Sequence, residues 1–173
     1  MPSPVGHALA GIAAGWLVDR PKSLARTVVF ALAGTAADID LLFGAHSGPT
    51  HGLGAAVIAG TLVAVVSSVR LRADATRNAK EGAVRFGGAV MAAYASHTLL
   101  DWLGTDASPP IGIMALWPFS RDYYESHLHV FSAISRRYWL PEFVTWNARA
   151  LAGELAILLP LTALVFFARR RRA

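Results

Sequence analysis

The sequence predicts an all-α, multi-pass transmembrane helical bundle, and three observations carry that reading. Of the 173 residues, 54% are hydrophobic and only 16% are charged, against roughly 25% charged in ordinary soluble domains. The apolar residues gather into five runs, near Val5–Val18, Thr27–Phe43, Leu53–Val69, Val84–Leu103 and Leu151–Ala168. The basic residues fall in short segments between those runs. The length suits one domain, residues 1–173. There is no cysteine, which excludes disulfides and thiolate metal ligands.

A membrane span needs about 20 apolar residues, within a range near 17–25. The first run is short, so it is expected to tilt, insert halfway or pack on its neighbours. No Lys or Arg precedes it, which argues against a signal peptide. The second to fifth runs reach or approach the required length, giving about four to five apolar helices. Lipid offers open backbone groups no partner, so helix is the form these runs must take. Gly52, Gly54, Gly60, Gly87 and Gly88 allow helices to approach closely.

The charge pattern orders these helices. Arg20, Lys22 and Arg26 follow run one; Arg70, Arg72, Arg77, Lys80 and Arg85 follow run three; Arg169–Arg172 follow run five. Those twelve of sixteen basic residues lie in alternating segments that can share one side. The positive-inside rule makes that side cytoplasmic. The N-terminus, the 44–52 turn and a long interfacial segment, 104–150, then face outward at an inner membrane. A net charge of +5 could suit nucleic acid, but basic residues placed as topology signals point to a lipid bilayer and to no nucleic-acid partner. The aromatic stretches "LWPFSRDYY" and "RRYWLPEFVTW" read as interfacial anchors.

On this map the polar residues converge. His7, Asp38, Asp40, His46, His51, His97, Asp101, Glu125, His127, His129 and Glu154 all reach the outer end, although they are spread over some 150 positions. "FGAHSGPTHG" places His46 and His51 in one turn. "SHTLLD" sets His97 and Asp101 at i, i+4, on one helix face. Taken alone, that pair fits an intrahelical hydrogen bond as well as a metal site. An ionisable residue within a span costs about 2.5–3.5 kcal/mol or more and marks function by default. Imidazole and carboxylate together suit Zn²⁺, with Mg²⁺ or Mn²⁺ as harder alternatives. In "TAADIDLL", Asp38 and Asp40 would point about 200° apart on a continuing helix. Both can serve one centre only if the helix breaks there, one as a ligand and the other behind it or on a second ion. His127 and His129, at i, i+2 among aromatics, stay outside the expected ligand set. No HExxH, GxSxG or Walker glycine loop occurs.

In order, "GHALAG", "DID", the two histidines of "HSGPTH", "SHTLLD" and "WPFS" resemble the YdjM-like family of inner-membrane proteins, which are called metal-dependent hydrolases. The resemblance runs from His7 to Ser120 and implies His7, Asp38, Asp40, His46, His51, His97 and Asp101 as metal-site residues. Asp38 and Asp101 would also serve catalysis. The same order is similar, more distantly, to the zinc-dependent phospholipase C fold. That likeness implies that Asp38, His51, His97 and Asp101 share one metal, with His7 and Asp101 contributing to another. Two departures stand out: Ser47 where relatives often carry Arg, and "TDASPPIG" where a shorter Thr-x-x-Gly turn is expected.

The expected function is a membrane-bound metal-dependent hydrolase that cleaves a phosphoester, with lipid-linked esters among the candidates, using a metal-activated water. It would use one to three divalent ions, Zn²⁺ foremost. The competing expectation is a metal-ion binding or transport protein. Transport predicts ligands near the bilayer midplane, open to both sides, whereas these residues crowd one end. The oligomeric state is left open.

Overall fold

The computed structural model describes residues 1–20, 23–44, 46–71, 75–107 and 109–170. Lys22, Arg72, Arg171 and Arg172 of the charge map, and Ser108 of "TDASPPIG", lie outside the described residues. Five α-helices form: α1 Pro4–Val18, α2 Leu24–Thr35, α3 Leu53–Val69, α4 Arg77–Leu103 and α5 Phe143–Arg170. Among the described residues no strand forms, and the outer segment carries only two isolated bridges, Gly104 with Phe131 and Ile113 with Tyr124.

The helix starts follow local chemistry. Ser3, with Pro4 behind it, accepts the Gly6 N–H at 3.1 Å, and Ser23 and Thr76 cap α2 and α4 in the same way. Three boundaries depart from the apolar runs. α4 begins at Arg77, seven residues before Val84, because the charged turn Arg77–Glu81 continues the helix and carries an i, i+4 ion pair. α5 begins at Phe143, so its first two turns belong to the stretch read as an outer segment. The second run is not one helix: α2 stops at Thr35 and the chain tightens into a 3₁₀ stretch, Ala36–Phe43.

Of the expected four to five spans, helix length and composition bear out one. Among the described residues only α5, with 28 residues, is long and apolar enough to cross a membrane unaided. α1 and α3 are apolar but stop at 15 and 17 residues. α4 has the length, but Ser96, His97, Thr98 and Asp101 interrupt its apolar half. The residues of the candidate site are themselves what lowers its hydropathy.

α4 is the central helix, packed by α1, α2 and α3, with α5 against α1. Phe30 and Ala33 of α2 meet Ala89, Val90 and Ala93 of α4. Ala10, Leu100 and Leu158 close the core together with Phe131 from the outer segment. Two glycine contacts bring backbones together. A Cβ on Gly60 would fall 2.7 Å from the Gly87 carbonyl, between α3 and α4, and one on Gly34 would fall 2.4 Å from the His7 carbonyl, between α2 and α1. The second contact sets the position of the site.

Candidate metal centre

One end of the bundle, the end read from the sequence as the outer one, brings together all seven of the expected site residues. His7 comes from α1, Asp38 and Asp40 from the 3₁₀ stretch, His46 and His51 from the following turn, and His97 and Asp101 from α4. His7, His51, His97 and Asp101 expose only 1%, 0%, 0% and 3% of their surface.

Asp101 sits at the middle. Its Oδ2 lies 3.1 Å from His97 Nε2 and 3.5 Å from His51 Nε2, while its Oδ1 lies 3.3 Å from His7 Nε2. Asp38 Oδ1 approaches both His51 Nε2 and His97 Nε2 at 3.7 Å. Within the described residues no Lys or Arg makes an ion pair with Asp38, Asp40 or Asp101. Both oxygens of Asp101, Nε2 of His51 and Nε2 of His97 are buried without a hydrogen-bond partner. Polar atoms buried this way normally find partners, and a missing cation is one account of such orphans. Four ligands 2.0–2.1 Å from a zinc ion at tetrahedral angles stand about 3.3–3.4 Å apart. The carboxylate–imidazole separations of 3.1–3.7 Å that Asp38 and Asp101 make with His51 and His97 bracket that value. This donor set fits a divalent cation.

The far sides of the rings fix their orientation. His97 Nδ1 lies 2.8 Å from the Gly34 carbonyl, which can only accept, so that nitrogen donates and Nε2 is left to face the centre. His51 Nδ1 lies 3.3 Å from Asp40 Oδ2, which also accepts the Thr50 hydroxyl at 3.0 Å. The 3₁₀ break therefore separates the two aspartates by role: Asp38 faces the centre, and Asp40 stands behind His51. Burial opposes a charge on His51, but Asp38 and then Asp40 outweigh it and lift its pKa to about 9. His46 lies farther out, 3.9 Å from Asp40 and with its ring centroid 5.1 Å from that of His51. Burial, then charge from His51 and Arg136, lowers its pKa. Three overlapping groups could hold an ion: His7, Asp38 and His97; Asp38, His46 and His51; and His51, His97 and Asp101.

A model of the YdjM inner membrane protein family matches residues 1–173, the whole chain. The chain belongs to that family. No curated protein and no solved structure matches it, so the phospholipase C likeness rests on residue order alone. The family name agrees with a membrane location and names no reaction.

Several supporting residues escape a sequence reading. Thr98 donates to the His51 carbonyl at 2.7 Å and Tyr94 to the Thr50 carbonyl at 2.8 Å, tying the turn to α4. The "WPFS" motif latches α3: the Trp117 carbonyl accepts the Gly54 N–H at 2.9 Å. Glu154, in the third turn of α5, is buried and receives both the N–H, at 2.7 Å, and the hydroxyl of Ser3. Thr98 lies inside "SHTLLD" and Trp117 inside "WPFS", and the charge map carries Glu154 to this end; the contacts they make, and the part played by Tyr94, have no local signal. His127 and His129 stand apart, 81% and 48% exposed at the side chain and facing Glu125 at 3.4 and 3.7 Å.

Proposed function

We propose that this protein is a membrane-bound hydrolase that cleaves a phosphoester at a divalent metal centre held by Asp38, His51, His97 and Asp101, with His7 and His46 flanking it. The observation that carries this reading is the convergence of orphaned imidazole nitrogens and carboxylate oxygens with which no Lys or Arg among the described residues makes an ion pair. A bound divalent ion supplies acidity to a water molecule and polarises a phosphoryl oxygen. The chain's own residues do the rest. Asp101 and the His97 and His51 rings form a rigid, dry floor. Asp38, with 23% of its side chain exposed, is the carboxylate that reaches substrate and water, so it is placed to accept a proton from the attacking water. Asp40 and Gly34 hold the two rings in the required tautomers.

A cavity of about 500 Å³, lined by Asp38 and His46, lies beside the centre, within the size range of ligand sites. Its other walls come from the chain's first residues, the outer segment and the start of α5, so it serves the outer end of the bundle. That one-ended arrangement favours hydrolysis over transport. Large apolar side chains exposed on α3 and α5, Ile58, Leu62, Leu161 and Leu164 among them, suit a bilayer around the bundle, and a lipid-linked phosphoester would then meet the site at headgroup depth.

The decisive experiment is metal analysis of detergent-purified protein, paired with phosphate release from phosphoesters before and after chelation. The expected outcome is stoichiometric divalent metal and hydrolysis that chelator abolishes and Zn²⁺ restores. Protein that binds no metal under any loading condition overturns the reading. The outward orientation has its own test. Cysteines introduced at the exposed positions Ser132 and Asn78 should label with an impermeant reagent on intact cells at Ser132 only.

A further inference from the structure

The cavity beside the centre is lined by two unlike kinds of side chain. Arg136 and Arg137 belong to one, and Arg136 is fixed there by a 3.2 Å contact from its Nη2 to His46 Nε2. Two of the three carboxylates in the lining are already engaged: Asp38 faces His51 and His97, and Asp106 accepts the Gly112 N–H at 3.0 Å. The guanidinium groups of Arg136 and Arg137 share the lining with three carboxylates, and Arg136 is the one held at His46, beside the centre. A planar guanidinium is matched to the oxygens of a phosphate. Apolar side chains, Ile134, Leu140, Phe143 and Trp146 among them, make up much of the remaining wall.

That apolar wall does not end at the cavity. Phe143 and Trp146 lie in the first turn of α5, which among the described residues is the helix long and apolar enough to cross a membrane, so wall and span belong to one element. Beside the lining residues Leu41, Leu140 and Phe143 in the chain, Leu42, Phe43, Trp139 and Val144 expose 80%, 82%, 67% and 70% of their surface. Side chains this apolar and this exposed would be an aggregation hazard in water and are at home among lipids. A water-soluble ester needs neither these side chains nor the wall.

From this division we propose that Arg136 and Arg137 form the phosphate-recognising side of the substrate site and that the α5 wall receives an alkyl or acyl chain. The substrate class is a phosphate-bearing lipid that enters sideways from the bilayer. The proposal rests on the hydrolase reading for what happens after binding, but the binding it describes needs no turnover. It is therefore tested on Asp101→Asn protein, which cannot confuse binding with hydrolysis, as well as on metal-loaded wild type.

The probes are detergent micelles containing phosphatidic acid, matched micelles containing phosphatidylcholine, and inorganic phosphate. Binding is followed by the fluorescence of Trp146 and its neighbours. Phosphatidic acid should bind at least tenfold more tightly than either other probe. The double variant Arg136→Gln, Arg137→Gln should lose that advantage, Arg136→Lys should keep part of it, and metal stoichiometry should stay at the wild-type value in both. Leu140→Asn should weaken phosphatidic acid while leaving inorganic phosphate unchanged. Equal binding of phosphatidic acid by wild type and the double variant overturns the assignment. Inorganic phosphate binding as tightly as phosphatidic acid shows a site for soluble phosphate and overturns the lipid class. Arginine-dependent binding without hydrolysis by metal-loaded wild type would sink the hydrolase reading and leave the recognition site standing.

Discussion

The two ends of the bundle both bury carboxylates, and they neutralise them in opposite ways. At one end Asp19, the C-cap of α1, is fully buried and ion-paired to Arg26 of α2 and, at 3.3 Å, to Arg85 of α4. Three helices are thereby tied by charges the protein supplies itself. At the other end the ion-pair partners of Asp38, Asp40 and Asp101 among the described residues are imidazoles, with the Thr50 hydroxyl added on Asp40. A buried carboxylate that meets guanidinium is a closed structural device. One that meets inward-facing nitrogens with no hydrogen bonds is a donor set waiting for a cation. Burial of an acid is common to both ends, so burial alone does not distinguish structure from site. The partner does.

The sharpest way to break this contrast is Asp101→Asn. Asparagine keeps the shape but loses the charge and one strong donor. Metal binding should weaken by about 100-fold or more, beyond the 10–100-fold typical of outer-shell changes, while the metal-free protein keeps its thermal midpoint or gains. Unchanged metal content, measured by mass spectrometry of the purified variant, would make the outer end as structural as the inner one.

Asp40→Asn probes the residue behind His51. It should cost about 10–100-fold in metal affinity through ring orientation, with full occupancy recovered at high metal concentration. An effect as large as that of Asp101→Asn would show Asp40 to be a direct ligand.

Proton competition gives the next effect in size. Without metal, His51 titrates near 9 instead of 6.5. Its charged form stabilises the metal-free fold fully below about pH 6.5, and that contribution is lost as pH rises through about 9. A metal ligand must be neutral, so metal affinity should run the other way, falling by about tenfold for each pH unit below 9 if one proton is displaced. Isothermal titration at pH 7, 8 and 9 reads the slope, and a flat profile removes His51 from the ligand set.

Asp19→Asn should have the smallest effect on the site and a modest one on the fold. Arg26 and Arg85 are a third and a half exposed and can turn to water, so the loss should be about 1–2 kcal/mol. Metal content should not change. A variant that loses metal would couple the two ends through α4.

The legible parts of this molecule are those governed by local periodicity. The i, i+4 pair of His97 and Asp101 follows from helix geometry, and α3 matches its apolar run at both ends. The starts of α4 and α5 were hidden for one reason: charged and aromatic turns obey helix propensity but not hydropathy. The 3₁₀ break at Ala36 was legible only as a condition for two aspartates to share a centre. Contacts made across the fold left no local trace. Glu154 reaches Ser3 over 151 positions, and Arg136 reaches His46 over 90. Among the described residues the span count read from composition is matched by helix length and apolarity only at α5, because α1 and α3 are short and polar site residues interrupt α4.

Gly34 shows what it means to orient a ligand with the main chain. The acceptor that holds His97 in register is a carbonyl, and every residue type has one, so no single codon change can erase it. The close approach of Gly34 to His7 and Gly11 is the only condition attached. Random mutation can therefore spoil this orientation chiefly by adding atoms, not by deleting a functional group. A mutational scan should show Gly34 tolerating nothing larger, while side-chain supports such as Thr50 and Asp40 accept graded replacements. The tautomer of His97 is in that sense inherited from the fold.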